Sequence, residues 1–269
     1  MRIIAGPCQH ESFEQSLEIA KHCKEVCDKY NIEYIFKASF DKANRTSLHG
    51  QRGSHIFVPD SLSQFCRDSK ALKEEIPGLL IMTDVHERWQ LGSLEKHVDV
   101  IQIPAFLCRQ TDLILGAIKA RIKAVNIKKG QFLAPWDVDG IMSKVEDHKC
   151  DEIWITERGT SFGYNTLVND FTGMEQLLSK FGSNFVYDVT HSVQKPGGQG
   201  SSSGGNRSHV PGLARAGAAL GITSFFLEVH PDPDNAPSDG PNSLYLKDFA
   251  DVVKQIKIVS DAARGWTWL

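Results

Sequence analysis

The chain has 269 residues, with 30 Lys and Arg against 33 Asp and Glu and a formal net charge of −3. That near balance argues against a nucleic-acid or membrane partner, and no apolar run approaches the roughly 18 residues that a bilayer-spanning helix needs. Six cysteines over this length make no disulfide framework, and the apolar stretch near Met1 is too short for a secretion signal, so a soluble cytoplasmic protein is expected.

Short apolar runs alternate with longer stretches of helical period. In chain order, strands are predicted near Ile3–Ala5, Tyr34–Ala38, Leu79–Thr83, Val98–Ile103, Lys123–Ile127, Glu152–Thr156, Phe185–Val189 and Ser224–Glu228. Helices are predicted over Ser12–Tyr30, Leu62–Glu75, Gln110–Ala120, Met174–Lys180, Val210–Leu220 and Leu246–Ala262, with a short one around Glu87–Lys96. Eight strand–helix repeats at even spacing over residues 1–269 predict an α/β fold: a single (β/α)8 TIM barrel forming one domain, in preference to an open doubly wound sheet. Two loops stand out. Pro196–Gly205 is rich in glycine and serine and reads as a mobile lid, whereas Pro231–Asn242, rich in proline and aspartate, reads as an ordered loop over the site.

Chemistry gathers just after the strands, where barrel enzymes carry their active sites. The second strand empties into Lys37-Ala38-Ser39-Phe40-Asp41-Lys42-Ala43-Asn44-Arg45-Thr46-Ser47. Lysine offers point charge and arginine a planar fork, a donor set suited to phosphate or carboxylate. Six strand-end cations, Lys37, Lys42, Arg45, Arg109, Lys128 and Arg158, would repel one another in a low-dielectric bowl unless anions join them. Surface salt bridging is the plainer reading, and two anionic ligand groups the more economical one.

Cys8, His191, Glu228 and Asp239 offer a thiolate, an imidazole and two carboxylates, a set suited to Zn²⁺, Fe²⁺ or Mn²⁺. Three of them end the first, seventh and eighth strands, which are neighbours in a closed barrel. Spacing leaves open a buried cysteine, a core histidine and lysine-paired carboxylates. Cys23 and Cys27 could share a helix face but have no further ligands nearby, and Cys66, Cys108 and Cys150 read as small core or near-surface residues.

Across nearly its whole length the sequence resembles the 3-deoxy-D-manno-octulosonate 8-phosphate synthases. The resemblance lies in Ala5–Cys8, Phe36–Arg45, Gln102–Asp112, Asn126–Phe132, Glu157–Gly159, Asp188–Gln194 and Ser238–Asn242. It implies a TIM barrel, usually a homotetramer, that condenses phosphoenolpyruvate with arabinose 5-phosphate for the inner sugar of lipopolysaccharide. It implies that Lys128, Arg158 and the backbone at Ala105 hold the phosphoenolpyruvate phosphate, and Lys37, Ser39 and Lys42 its carboxylate, with Gln102 nearby. Asn44 would meet the sugar hydroxyls and Arg45 the sugar phosphate, with Thr46 close by and Arg109 reaching the same phosphate from a neighbouring subunit. Lys42, Asn44, His191 and Asp239 would be catalytic.

Cys8, and Ser238 before Asp239, resemble the metal-dependent branch, whose ligands map to Cys8, His191, Glu228 and Asp239. The chain departs from the family at Thr46, usually serine, and over Ser54–Asp60, usually a glycine-rich acidic stretch. The related 3-deoxy-D-arabino-heptulosonate 7-phosphate synthases carry proline where this chain has Asn44, which favours the longer sugar. A non-catalytic phosphosugar-binding barrel is the rival from another class.

Overall fold

Alternation within each apolar run decides which side chains face inward. Ile4, Ile35, Met82, Val100, Ala124, Trp154, Val186 and Phe226 form one buried cluster, one residue from each main strand. Their outward neighbours, among them Ile3, Ala5, Phe36, Ile81 and Ile101, belong to a second and larger cluster beneath the helices. Two separate cores, one inside and one outside a ring of strands, define a closed barrel. The computed structural model describes residues 1–45, 47–48, 50–55, 57–145, 152–197 and 204–265.

The strands are β1 (Arg2–Gly6), β2 (Glu33–Lys37), β3 (Leu80–Asp84), β4 (Val100–Ile103), β5 (Ala124–Lys128), β6 (Glu152–Glu157), β7 (Phe185–Asp188) and β8 (Ser224–His230). All pair in parallel, each with the next, and β8 returns to β1 with Gly6 opposite Glu228. The helices are α1 (Phe13–Lys29), α2 (Val58–Glu75), α3 (Leu91–Leu94), α4 (Thr111–Lys119), α5 (Val138–Met142), α6 (Phe171–Phe181), α7 (Val189–Ser192), α8 (Val210–Ala219) and α9 (Phe249–Ala263). The chain is therefore a single (β/α)8 barrel.

Boundary differences have local causes. Ser12 caps α1 by accepting from the backbone N–H of Gln15, and so lies outside the helix. The helix expected from Leu62 begins earlier, at Val58, because Pro59 fits a first turn whose N–H groups need no helical partner. The strand expected to reach Val189 stops at Asp188, whose side chain accepts from the backbone N–H of His191 and starts α7. The segment Glu87–Lys96 divides into a 3₁₀ turn, Arg88–Gln90, and α3. Helix α5 was not anticipated. The loop Pro231–Asn242 holds two 3₁₀ turns, Pro233–Asn235 and Gly240–Asn242. Most of the expected lid lies outside the described residues; Gln194–Lys195, just before it, pairs antiparallel with its last two residues, Gly204–Gly205. Among the described cysteines, Cys8, Cys23, Cys27, Cys66 and Cys108 are buried and unpaired; Cys150 lies outside.

Gly6 has no room for a side chain: an added Cβ would stand 2.1 Å from the Lys37 carbonyl oxygen. Gly6→Ala should therefore destabilise the fold by about 3 kcal/mol or more, at the upper end of overpacking costs. Gly92→Ala, which meets nothing within 4 Å in α3, should instead stabilise it by about 0.4–1 kcal/mol. Urea unfolding midpoints of the two variants check both signs.

Candidate active site

Two residues beyond the apolar inner layer, the same strand faces become polar. Ile35 is followed on that face by Lys37, Met82 by Asp84, Val100 by Gln102, Ala124 by Asn126 and then Lys128, Val186 by Asp188, and Phe226 by Glu228. These groups are nearly all withdrawn from solvent, so their charges must be answered within the barrel mouth.

Asp188 is fully buried and answers two of them. Its Oδ2 accepts from the Lys128 ammonium, and His191 Nδ1 lies 2.7 Å from the same oxygen. The backbone N–H of His191 donates to Oδ1 at 2.9 Å. Burial alone would raise the Asp188 carboxyl; His191 and Lys128 reverse that and hold it well below the ordinary carboxylate range. Lys128 also stands 3.5 Å from the centroid of the Phe226 ring. Desolvation lowers its pKa, and Asp188 offsets that only in part, leaving it at about 8.

With Asp188 on Nδ1, His191 turns Nε2 towards the carboxylates. It lies 3.5 Å from Glu228 Oε1 and 3.7 Å from Asp239 Oδ2. The Cys8 thiol donates to Asp239 Oδ2 at 3.1 Å. One ligand atom each from Cys8, His191, Glu228 and Asp239 falls within 4.8 Å of all the others. The donor set fits a divalent cation, and Glu228 supplies a sharper sign: it is wholly buried, yet neither carboxylate oxygen accepts a hydrogen bond. Burial, with Glu228 next, keeps the Cys8 thiol raised, while Asp188 and Glu228 overcome desolvation to hold the His191 pKa well up. Such a negative pocket favours a cation that displaces both protons.

The cation end is equally organised. Lys37 donates to Ser39 Oγ at 3.0 Å and to the Cys8 carbonyl at 3.4 Å, and lies 3.6 Å from Glu228. Lys42 donates to the same Ser39 Oγ at 2.9 Å. Asp84 faces His86 at 3.1 Å, and with Lys37 that contact outweighs burial and lowers its carboxyl pKa. Gln102 accepts from Asn126 at 3.2 Å. Arg158 donates to Gln194 Oε1 at 2.6 Å, and its Nε, also buried, has no hydrogen-bond acceptor.

A cavity of about 770 Å³ is lined among others by Lys37, Lys42, Gln102, Ala105, Lys128 and Arg158 and, of the ligand quartet, by His191 and Asp239. Asn44 and Arg45 line its rim. Arg45 is already engaged, donating to Gln9 at 2.9 Å, to Ser238 Oγ at 3.1 Å and to the Pro237 carbonyl at 3.0 Å. Arg109 is exposed and does not line the cavity, and Thr46 lies outside the described residues.

Residues given no role from sequence also belong here. Asp188 aligns Lys128 and His191; Gln194 joins Arg158 to Asp239, donating to its Oδ1 at 2.5 Å. The inward register of Asp188, two residues after Val186, was the signal that could have found it.

A cavity with a cationic floor beside a soft-and-hard ligand quartet can bind two anions next to a metal ion. The family model described as the DAHP synthetase I family matches residues 1–263. The chain belongs to that family. Among relatives of this DAHP synthetase I family chain are proteins named 2-dehydro-3-deoxyphosphooctonate aldolase. One from Bradyrhizobium diazoefficiens is 49% identical over 98% of this chain and 90% of the relative. Another from Caulobacter vibrioides is 50% identical over 95% and 86%, and one from Fusobacterium nucleatum 50% over 94% and 87%.

The lowered Lys128 pKa has a direct consequence. Inorganic phosphate should bind this family member's cavity below pH 8 and lose affinity as pH rises through about 8, where Lys128 gives up its proton. Lys128→Arg, which stays charged, should flatten that fall. Calorimetric titrations between pH 7 and 9.5 check both.

Proposed function

We propose that this chain condenses phosphoenolpyruvate with D-arabinose 5-phosphate and water, giving 3-deoxy-D-manno-octulosonate 8-phosphate and inorganic phosphate. The relatives' shared name, at about half identity over nearly the full chain, carries the reaction. The paired cationic and metal-ligand ends of one cavity carry the site. C3 of phosphoenolpyruvate attacks the aldehyde of the open-chain sugar, water adds at C2, and the hemiketal phosphate releases phosphate.

Lys128, Arg158 and the Ala105 backbone hold the phosphoenolpyruvate phosphate; Lys37, Ser39 and Lys42 hold its carboxylate, with Gln102 beside them. Binding both anionic ends on one rigid floor fixes C3 opposite the aldehyde, which is where most of the rate gain is available. Asn44 contacts the sugar hydroxyls, and Arg45, Thr46 and a neighbouring subunit's Arg109 hold the sugar phosphate. For Arg45 this means exchanging its Gln9, Ser238 and Pro237 acceptors for phosphate oxygens.

His191 and Asp239, held by Asp188 and Gln194, act close to the incoming water or the sugar hydroxyls. Cys8, His191, Glu228 and Asp239 hold one Zn²⁺, Fe²⁺ or Mn²⁺, which supplies Lewis acidity and orientation when bound. Homo-oligomer assembly is in keeping with the exposed Phe106, Phe132, Phe162 and Tyr164 in segments that follow β4, β5 and β6, and the tetramer as its form rests on the family resemblance alone. Placement in the cytoplasm rests on the same reading, and no described helix is long and apolar enough to cross a membrane.

The deciding assay is phosphate release from phosphoenolpyruvate with arabinose 5-phosphate or erythrose 4-phosphate as partner. Activity with arabinose 5-phosphate, lost on chelation and restored by one of the three ions, is expected. Preference for erythrose 4-phosphate would turn the reading to the heptulosonate reaction, and full activity after verified metal removal would discard the metal alone. Glu228→Gln, which removes a ligand charge, should weaken ion binding by more than the roughly 10–100-fold that loss of an outer contact costs, and equilibrium dialysis with metal analysis checks it.

A further inference from the structure

Beside the two phosphate-facing cations lies an ion pair to which nothing above gives a part. Lys129 follows Lys128 at the end of β5, and Glu157 precedes Arg158 at the end of β6. Lys129 Nζ and Glu157 Oε2 are 3.2 Å apart, and the two side chains are 0% and 7% exposed. Burying both charges is costly, and apolar residues of the same size would serve stability as well. The pair's other contacts show what it fixes.

Glu157 Oε1 accepts from two successive backbone N–H groups, those of Arg158 at 2.9 Å and Gly159 at 2.6 Å. Gly159 has φ +90°, so the turn carrying Arg158 is one that a side chain at that position would resist. Lys129 Nζ donates to the Leu133 carbonyl at 2.8 Å, the Gly130 carbonyl at 3.2 Å and Thr160 Oγ1 at 3.4 Å. One end of the pair thus grips the loop after β5, and the other the turn after β6. The backbone adds a direct tie, Lys129 N–H to the Thr156 carbonyl at 2.7 Å.

We infer that Lys129 and Glu157 are positioning residues that set the spacing and aim of Lys128 and Arg158 for a phosphate group. This rests on the reading that those two cations hold the phosphoenolpyruvate phosphate. Neither Lys129 nor Glu157 lines the cavity, so they act through their sequence neighbours and not by contact with substrate. Breaking the clamp lets the two loops move apart, so phosphate loses its two-cation grip while the sugar end is untouched.

The test uses full-length, metal-loaded protein carrying Glu157→Gln, Lys129→Met, or both substitutions. The double variant buries no lone charge and guards against misfolding of the single ones, with circular dichroism and thermal melts reporting the fold. Binding of phosphoenolpyruvate alone, by calorimetry, should weaken roughly tenfold or more, given how steeply misplacement costs. The KM for arabinose 5-phosphate should stay within about twofold, a split that general loosening of the structure does not produce. Unchanged phosphoenolpyruvate binding in a folded variant, or equal losses for both substrates, overturns the inference. Arg158→Ala separates the two levels. If it weakens phosphoenolpyruvate binding while the clamp variants do not, only the clamp fails. If it leaves binding unaltered, the phosphate-site reading fails and takes the clamp with it.

Discussion

A carboxylate shut away from water must find positive charge within the fold, and Asp188 finds it on two sides. It receives the Lys128 ammonium from β5 and the ring of His191 from the turn that its own carboxylate caps. One residue therefore fixes both the Lys128 ammonium and the His191 ring, which meet on the same carboxylate oxygen. Because the ring is held at Nδ1, only Nε2 faces Glu228 and Asp239. Such outer contacts choose the tautomer and direction of a metal-binding histidine. Removing the Asp188 charge would leave a buried ammonium without its partner and a ring free to turn, so the aim of both would be lost through one change.

This arrangement depends on where the barrel changes character. Up to Phe226 and Trp154 the interior is apolar and filled; two residues further along the strands it is ionic. Charges are tolerated there because several strand-end groups face one of opposite sign: Lys37 near Glu228, Lys128 on Asp188, Lys129 on Glu157. Gly6 belongs to the same layer, and its missing side chain lets the strand bearing Lys37 approach β1 closely. The apolar floor also lowers the local dielectric, which strengthens the pairs above it and desolvates Lys128 enough to bring its pKa to about 8.

The eight strands were legible because each is a short apolar run bounded by polar residues, and parallel closure follows from their even spacing. The quartet Cys8, His191, Glu228 and Asp239 was legible as a set of residue types after strand ends, and closure brings it within 4.8 Å. What the sequence hides is which strand-end groups meet across the mouth. Asp188, Gln194, Lys129 and Glu157 all sit in motifs that were noted, yet their partners lie on other strands and loops. Lys128 and Asp188 are 60 residues apart, and Gln194 and Asp239 are 45. Arg45 shows the converse: its charge suggested a free phosphate grip, whereas four protein acceptors, the Gln51 carbonyl among them, already hold it.

Of the buried side chains here with a polar atom that has no hydrogen-bond partner, Glu228 and Arg158 are opposite in sign. Both Glu228 oxygens lack a hydrogen bond, and Lys37 at 3.6 Å is already committed to Ser39 and the Cys8 carbonyl. At the other end Arg158 Nε lacks an acceptor. Unsatisfied buried polar groups cost free energy in the unliganded protein. A cation against Glu228 and an anion against Arg158 would each remove one such penalty. The two are joined through Gln194, whose Oε1 accepts a hydrogen bond from Arg158 and whose Nε2 donates one to Asp239. One amide thus restrains both groups, so the aim of the Arg158 guanidinium and that of the Asp239 carboxylate depend on the same side chain.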